Sequence, residues 1–396
     1  MADDLPHAEV PKKDRNTLTK LGFLVRGPEQ ERAEMLGFMG EVDALNRCLN
    51  IKLAMNLDCN LACRYCFEGK RNGKHYMTRE TAESFVDFVK KRLEGKEEIY
   101  ITFYGGEPLL SRALIIYITK KVKSLADNKG IPFLFSFITN GTLLTKETVQ
   151  RLKPLGMKEA YITIDGPKEN HDSFRPYKTG KGSFETILRN IKDVCDCVDI
   201  QLGGNFTKDN FDRFPEFLDF LLHEGLTPSK VPVLGFFPVL SESAEVGLPD
   251  FHEGCASLNE PWLFEANLFL REEILKRGHR CGNIAPGPCM MEFENNILVN
   301  YDGGIYKCPG FIGRADFKVG DLQSGIKDYR KSHNLDNWKN EECLNCSYLP
   351  LCFGGCRYMK FVREGHMSGV DCKKPYFDAT LEALVKQDIR YGLIEK

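Results

Sequence analysis

The chain has 396 residues, of which 42% are hydrophobic, and its 54 basic and 56 acidic side chains give a formal net charge of -2. This length favours one large domain with a smaller one. The even charge balance gives no electrostatic reason to expect nucleic acid or a membrane surface as a partner.

The cellular compartment can be inferred from the N-terminus and the cysteines. The first ten residues are acidic and polar, unlike a secretory signal. The longest apolar run, residues 231–240, is interrupted by proline and glycine and is too short to span a bilayer. We therefore predict a cytoplasmic protein, in which clustered cysteines bind metal or act in catalysis more often than they form disulfides.

Four regions follow one another along the chain. Residues 1–50 form a charged N-terminal extension whose best helical stretch is Ala33–Leu49. Residues 51–240 alternate strand-like and helix-like segments, and residues 241–280 form a linker that contains a helix. Residues 281–396 change to short strands, glycine turns and cysteines, and such small modules usually depend on metal for stability.

Hydrophobic periodicity predicts six strands, each followed by a helix. The predicted strands are Ile51–Asn56, Ile99–Tyr104, Phe133–Thr139, Ala160–Ile164, Val198–Asn205 and Val231–Val239. The predicted helices are Thr78–Leu93, Ser111–Ala126, Lys146–Leu155, Ser183–Val194, Phe214–His223 and Leu258–Arg277. Six β-α units in series predict an α/β fold with a parallel sheet that is curved or closed like a barrel.

Polar and cysteine motifs follow the first four predicted strands. In chain order they are Cys59–Cys66, Gly105-Gly106-Glu107-Pro108, Thr139-Asn140-Gly141 and Asp165-Gly166. Because sites in such folds form at the carboxyl ends of the strands, we expect these four loops to converge on one rim.

The first motif, Cys59-x3-Cys63-x2-Cys66, supplies three thiolates. Thiolate suits both iron–sulfur clusters and zinc. A structural zinc site needs four ligands, and no fourth one lies nearby in the sequence. A [4Fe-4S] cluster held by three cysteines instead leaves one iron free to bind a small molecule. The spacing therefore favours such a cluster.

The segment Cys59-Asn60-Leu61-Ala62-Cys63-Arg64-Tyr65-Cys66 resembles the signature of radical S-adenosylmethionine (SAM) enzymes, including the aromatic residue before the last cysteine. The resemblance covers residues 51–240 and implies a partial (β/α)6 TIM-like barrel. It also implies that the free iron binds the amino and carboxylate groups of SAM. Electron transfer then releases a 5′-deoxyadenosyl radical that abstracts a hydrogen from the substrate.

The same resemblance implies a set of SAM contacts. The GGEP segment would contact the methionine amino group through its backbone and its glutamate, and the later strand ends would hold the ribose and carboxylate. The alternative to SAM contact at the later strand ends is that their side chains cap the next helix. The alternative for Tyr65 is that it only packs within its loop. The implied residues are Tyr65, Gly105, Gly106, Glu107, Pro108, Thr139, Asn140, Thr163, Asp165 and Asn205. His171-Asp172-x-x-Arg175 receives no role beyond shaping the pocket.

The C-terminal pattern Cys289-x13-Gly303-x4-Cys308, then Cys343-x2-Cys346-x5-Cys352-x3-Cys356-x15-Cys372, resembles the seven-cysteine SPASM motif of radical enzymes that modify peptides and proteins. It implies two auxiliary [4Fe-4S] clusters, and so three clusters in all. The first would be held by Cys289, Cys308 and Cys356, and the second by Cys343, Cys346, Cys352 and Cys372. Zinc ribbons are the alternative, although seven cysteines divide poorly into four-ligand sites.

Cys281 is expected to complete the first auxiliary cluster, as an extra cysteine does in some SPASM enzymes. Without this ligand, the open iron could bind a substrate thiolate, which would favour thioether chemistry.

The resemblance favours a maturase that oxidises a ribosomally made precursor peptide and installs a thioether or another crosslink. An anaerobic sulfatase-maturing enzyme is the alternative. In that branch an aspartate, the proposed base, follows the cysteine that matches Cys308, whereas this chain has Pro309. A multi-cluster electron-transfer protein or a zinc-stabilised binding module would need no open iron. No catalytic side chain is assigned.

The expected partners follow from this chemistry. They are a precursor peptide with a leader and a low-potential electron donor such as ferredoxin or flavodoxin. We expect the 50 residues before the barrel to be too few for a complete winged-helix leader-binding module. A shortened element or a separate leader-binding protein is therefore the hypothesis for leader recognition.

Overall fold

A computed structural model describes residues 11, 27–45, 47–66, 68, 73, 75–240 and 253–393. The chain divides into two compact units, residues 1–46 and 47–396.

Helix α1 of the first unit spans Pro28–Leu45. The predicted helix Ala33–Leu49 was therefore placed too far along the chain, because the helix begins at Pro28 and Cys48 already begins a strand. Leu49, Ile51 and Leu53 alternate as buried side chains, which is the period of a strand.

The second unit contains one ten-stranded sheet with the order β10-β9-β8-β7-β1-β2-β3-β4-β5-β6. Its strands are β1 Cys48–Ala54, β2 Glu98–Tyr104, β3 Phe133–Thr139, β4 Met157–Thr163, β5 Asp199–Phe206, β6 Val233–Pro238, β7 Asn296–Val299, β8 Gly304–Tyr306, β9 Gly320–Asp321 and β10 Gly325–Ile326. All pairs from β1 to β6 are parallel. The predicted α/β architecture with a parallel sheet is confirmed.

The helices of the second unit include all six that the periodicity predicted. They are α2 Arg79–Lys91, α3 Arg112–Lys129, α4 Lys146–Leu152, α5 Lys168–Phe174, α6 Phe184–Val194, α7 Phe214–His223, α8 Pro261–Lys276, α9 Glu341–Leu344, α10 Leu349–Cys352, α11 Arg357–Glu364 and α12 Lys374–Arg390. Within the described residues, no helix is long and apolar enough to cross a membrane.

Helix α6 illustrates why these segments fold as they do. Ile187, Ile191 and Val194 recur at helical spacing and are fully buried. The resulting apolar stripe covers the sheet. Beneath the helices, Phe103 of β2 stacks on Phe137 of β3 with ring centroids 5.4 Å apart. This aromatic core holds the strand ends in fixed register.

The C-terminal region joins the same sheet. Strand β7 pairs with β1 in parallel, and Asn296 lies opposite Asn50. Strands β8 to β10 then continue the sheet in antiparallel pairs. The C-terminal cysteines are therefore carried next to the strand that leads into the Cys59–Cys66 loop, while β6 forms the opposite edge of the sheet.

Candidate active site at the carboxyl edge of the sheet

The segment that leads into the Cys59–Cys66 loop crosses the chain at Gly105 and Gly106. Gly106 donates its amide to Asn56 O at 3.1 Å. Gly105 has a φ of +125°, and a Cβ built there would lie 2.2 Å from the same carbonyl oxygen. A Cβ on Gly106 would lie 2.2 Å from Asp58 O. No larger residue fits either position. The crossing of two chain segments is thus one reason for the glycines, besides the predicted approach of a ligand.

Glu107 connects the ends of β2 and β3. Its buried carboxylate accepts hydrogen bonds from Thr139 Oγ1 at 2.8 Å, Asn140 N at 2.8 Å and Leu109 N at 3.0 Å. Burial raises the pKa of this carboxyl, while the donors oppose the shift. The side chain therefore supports the rim from behind. Its contact with a methionine amino group stays a prediction.

The three cysteines of the loop line one cavity. Cys59 Sγ accepts hydrogen bonds from Leu61 N at 3.4 Å and from Asn140 Nδ2 at 3.6 Å. Burial raises the pKa of the Cys59 and Cys66 thiols to about 12, and it also raises that of Cys63. Buried thiols ionise readily only when a cation compensates the charge, so this donor set fits an iron–sulfur cluster.

A buried polar network closes the floor of the site. Tyr65 donates its hydroxyl to Asp165 and accepts from Arg175 Nη1 at 2.8 Å and Asn205 Nδ2 at 2.9 Å. Asn205 N also donates to Asp165 Oδ1 at 2.8 Å. Burial raises the pKa of both Tyr65 and Asp165. The structure thus brings together Tyr65, Asp165 and Asn205, which the sequence placed on three separate loops.

Arg175 is a site residue that the sequence reasoning missed. It lines the cavity, and its Nε is buried without a hydrogen-bond partner. Burial alone would lower its pKa, but Cys63, Tyr65 and Asp165 outweigh burial and raise it. An arginine with a spare donor fits an anionic ligand group such as a carboxylate. The only signal in the sequence was its place in the motif with His171, to which no ligand contact was assigned.

His171 positions the loop that carries Asp165 and Arg175. Its Nδ1 accepts from Asp165 N at 3.2 Å, so Nε2 carries the proton and faces Ser183 Oγ at 2.9 Å. Ser183 in turn donates to Arg175 O at 2.7 Å. Burial lowers the pKa of His171 well below its usual value, which keeps the ring neutral.

The cavity has a volume of about 570 Å³ and walls from both halves of the chain. The predicted residues that line it are Cys59, Cys63, Tyr65, Cys66, Gly105, Gly106, Thr139, Asn140, Thr163 and Asn205. Glu107, Pro108 and Asp165 are not part of this lining. The opposite wall comes from Gly310, Cys356, Tyr358 and Met359, and Glu68 also contributes. Apart from Cys356, none of these wall residues was predicted to be part of the site.

The cysteines assigned to the first auxiliary cluster are neighbours. Burial, together with nearby Cys356 and Cys289, raises the pKa of Cys308 to about 12. All three pack on one apolar cluster that contains Met291 and Phe311. The three side chains therefore share one neighbourhood, and their binding of an auxiliary cluster stays a prediction.

Cys281 lies elsewhere, in a crevice beside Arg271 of α8. Its completion of the first auxiliary cluster stays a prediction, and no contact with the other three cysteines supports it among the described residues. Among all the described residues, which include every cysteine of the three groups, no three or more His, Cys, Asp or Glu side chains are arranged as they would be around a bound metal ion, so the holding of a cluster by each group stays a prediction.

The second auxiliary group is more compact. The four thiols of Cys343, Cys346, Cys352 and Cys372 line a small pocket of about 30 Å³. Asn340 accepts from Cys343 N at 3.0 Å and so begins helix α9. Cys372 is exposed, which brings this group to the surface. All four cysteines assigned to the second cluster therefore lie at one small pocket, and their binding of a cluster stays a prediction.

Comparison with known proteins is consistent with this geometry. Residues 55–221 match the model of the radical SAM superfamily. The chain is 30% identical to an AdoMet-dependent heme synthase of Nitratidesulfovibrio vulgaris, over 82% of this chain and 92% of that protein. It is 26% identical to the serine-type anaerobic sulfatase-maturating enzyme of Bacteroides thetaiotaomicron, over 83% of this chain and 90% of the relative.

Two solved structures share the fold. The structure of native anSMEcpe with bound AdoMet and the Kp18Cys peptide superposes with a TM-score of 0.69 and 20% identity, covering 87% of this chain and 100% of that one. Streptococcus suis SuiB bound to its precursor peptide SuiA gives a TM-score of 0.60 and 15% identity, covering 82% and 75%. At these identities the likeness extends to the fold alone.

Proposed function

Because the chain belongs to the radical SAM superfamily, we propose that it is a peptide maturase that oxidises a precursor peptide and installs a thioether or another crosslink. The observation that carries the proposal is the shared cavity. Cys59, Cys63 and Cys66 form one side of it, and Cys356 of the first auxiliary group forms the other. A substrate held between them would contact both redox sites.

The residues of the cavity suit this role. Cys59, Cys63 and Cys66 would hold a [4Fe-4S] cluster, which with SAM supplies a radical that abstracts hydrogen. The positive charge of Arg175 in the cavity lining suits the SAM carboxylate, and Thr163 and Asn205 offer polar groups for the ribose. Tyr358 and Met359 cover the site with apolar surface and so exclude water.

The first auxiliary group explains why oxidation is the favoured outcome. Forming a crosslink removes two hydrogens from the peptide, so an electron must leave the substrate besides one hydrogen atom and one proton. Cys289, Cys308 and Cys356 would hold an auxiliary cluster, which supplies an electron acceptor at the cavity wall. The second group, with exposed Cys372, is suited to pass electrons towards an external partner.

Sulfatase maturation is the second candidate. It is supported by the similarity to the Bacteroides enzyme over 90% of that protein's length. The local chemistry at Cys308 argues against it, because Pro309 has no acid–base group and begins a tight turn. Gly310, which follows, is packed against the Tyr358 ring, where a Cβ would lie 2.3 Å away.

The test is the mass of a candidate precursor peptide after anaerobic co-expression with the full chain. We expect a loss of two hydrogens per site, abolished when Cys59, Cys63 and Cys66 are replaced by alanine. Formylglycine formation from serine also removes two hydrogens but leaves an aldehyde. A product that a hydrazide captures would therefore favour sulfatase-type maturation, and a product that it does not capture would favour a crosslink.

An unchanged peptide would contradict the proposal if the same preparation cleaves SAM. A porphyrin should be included as a competing substrate, because one relative is a heme synthase. Conversion of the porphyrin in place of the peptide would overturn the assignment of substrate class.

A further inference from the structure

A second cavity opens beside the edge strand of the sheet. It has a volume of about 400 Å³ and lies between β6, α8, α12 and residues 281–285. Its lining is mainly apolar and includes Phe236, Phe237, Leu270, Ile274, Leu381 and Leu384. We call this cavity the β6 crevice. An apolar cleft of this size suits a ligand with uncharged side chains.

The β6 crevice adjoins the active-site cavity. Phe237, Pro238 and Leu258 line both of them. Phe237 stands at this shared wall with 55% of its surface exposed, which is unusual for a phenylalanine. A chain lying in the crevice would therefore reach the active-site cavity by passing one side chain.

Within the described ranges up to residue 240 and from residue 253, the backbone of β6 lacks a main-chain partner at one position on the side of the crevice. Leu234 N donates outward to Arg280 O at 2.9 Å, and Val239 O accepts from Cys255 N at 2.8 Å just after the strand ends. Because alternate residues of a strand face the same edge, Phe236 turns its N–H and C=O outward between these two bonds. Among the described residues, none forms a main-chain bond with Phe236 on this edge. An extended peptide could occupy the gap.

The charge in the crevice is compensated. Arg271 pairs with Asp388, with both side chains largely buried, and donates to Gln387 Oε1 at 2.9 Å. It also donates to Gly282 O at 3.2 Å. The crevice therefore offers no uncompensated charge from this arginine to an acidic ligand, and an apolar peptide segment is the occupant that its chemistry favours.

We propose that the β6 crevice binds an extended, apolar segment of the peptide substrate, next to the residue that reacts. The segment would pair with the open edge at Phe236 and pass Phe237 into the active-site cavity. This inference rests on the proposed peptide substrate, because it assigns a recognition site for the flank of that peptide.

The test uses a displayed pool of random 12-residue peptides, selected anaerobically on the full, cluster-loaded chain. We expect the enriched peptides to contain an apolar run. Leu381→Glu puts a charge into the crevice and should weaken the Kd of these peptides at least about tenfold, or 1.4 kcal/mol. Ile389→Glu is the matched control, since Ile389 is on the same helix, 66% exposed and outside the crevice.

Ala285→Glu provides a second variant, because Ala285 lines the crevice but is exposed and its replacement should be tolerated. Iron content and the melting temperature show whether each variant is folded. Equal affinity of the wild type and both crevice variants would overturn the inference, as would a pool in which no peptide is enriched. Weakened binding without any modification of a peptide would support the crevice and count against the proposed function alone.

Discussion

The two best-defined cysteine groups of this chain are built differently. Cys59, Cys63 and Cys66 lie on one loop beside a cavity of about 570 Å³, and a polar network forms its floor. The second auxiliary group has four thiols around a pocket of about 30 Å³. Three thiols beside a large cavity suit a site that takes a ligand. Four thiols around a small pocket that leaves no room for a ligand suit electron transfer or stability.

The largest effect should come from removing one ligand in each group. Cys63→Ala should abolish reductive cleavage of SAM, because the remaining two thiolates cannot hold the cluster that binds it. Cys346→Ser should leave substrate-independent cleavage measurable while lowering the iron content. Chromatography of 5′-deoxyadenosine under anaerobic reducing conditions distinguishes the two. Complete loss in both variants would show that the groups are not separable in this way.

The sequence could place Cys59, Cys63 and Cys66 at one cavity because these three residues are close together in the chain. The spacing from Cys59 to Cys66 lies within one loop, and the strand before it carries a plain alternation of buried residues. The opposite wall of the cavity depends on contacts distant in sequence. Tyr358 and Met359 reach it because β7 pairs with β1, and a four-residue strand such as β7 gives too short a pattern to recognise.

Other parts of the site also could not be predicted from the sequence, because they too depend on contacts between distant residues. Arg175 carries no spacing signal of its own, since its importance comes from burial beside Tyr65 and Asp165. Gly105 and Gly106 were predicted to contact a ligand. Their packing against Asn56 and Asp58 depends on the three-dimensional fold and has no signal in the sequence. The SPASM resemblance predicted that Cys281 completes the first auxiliary cluster, but the neighbours of Cys281 depend on the packing of helix α8.

The next effect in size should come from removing the metal. Chelation should unfold the segment from Cys343 to Cys352, because helix α9 buries no side chain and helix α10 buries only Leu349. The parallel strands should remain folded, since their core is continuous and apolar. Hydrogen–deuterium exchange before and after chelation reports both regions. Equal loss of protection in β1–β6 would contradict the contrast between the two groups.

A smaller effect is expected from Arg175→Gln. The substitution removes a positive charge from the lining of the cavity and leaves Asp165 without its cation, so SAM binding should weaken by about 2–5 kcal/mol. Arg112→Gln is a matched control, because Arg112 bonds Thr148 at 3.1 Å away from the cavity. Calorimetry with SAM on the cluster-loaded chain measures both. Unchanged affinity in Arg175→Gln would remove this residue from the site.

The smallest effect should be a pH dependence of stability that belongs to the barrel site. The pKa of His171 is lowered by burial, so below its unfolded value of about 6.5 the unfolded chain binds a proton that the folded chain does not. This contribution to stability is therefore present above this pH and is lost as the pH falls, by up to about 1.4 kcal/mol per pH unit for this group.

The measurement is the free energy of unfolding in urea between pH 6.5 and 5.5. His171→Gln should reduce its slope against pH by an amount that corresponds to the uptake of up to about one proton. His223→Gln is the matched control variant, since the His223 side chain is 87% exposed and lies outside the site. An equal slope in wild type and His171→Gln would contradict the lowered pKa of His171.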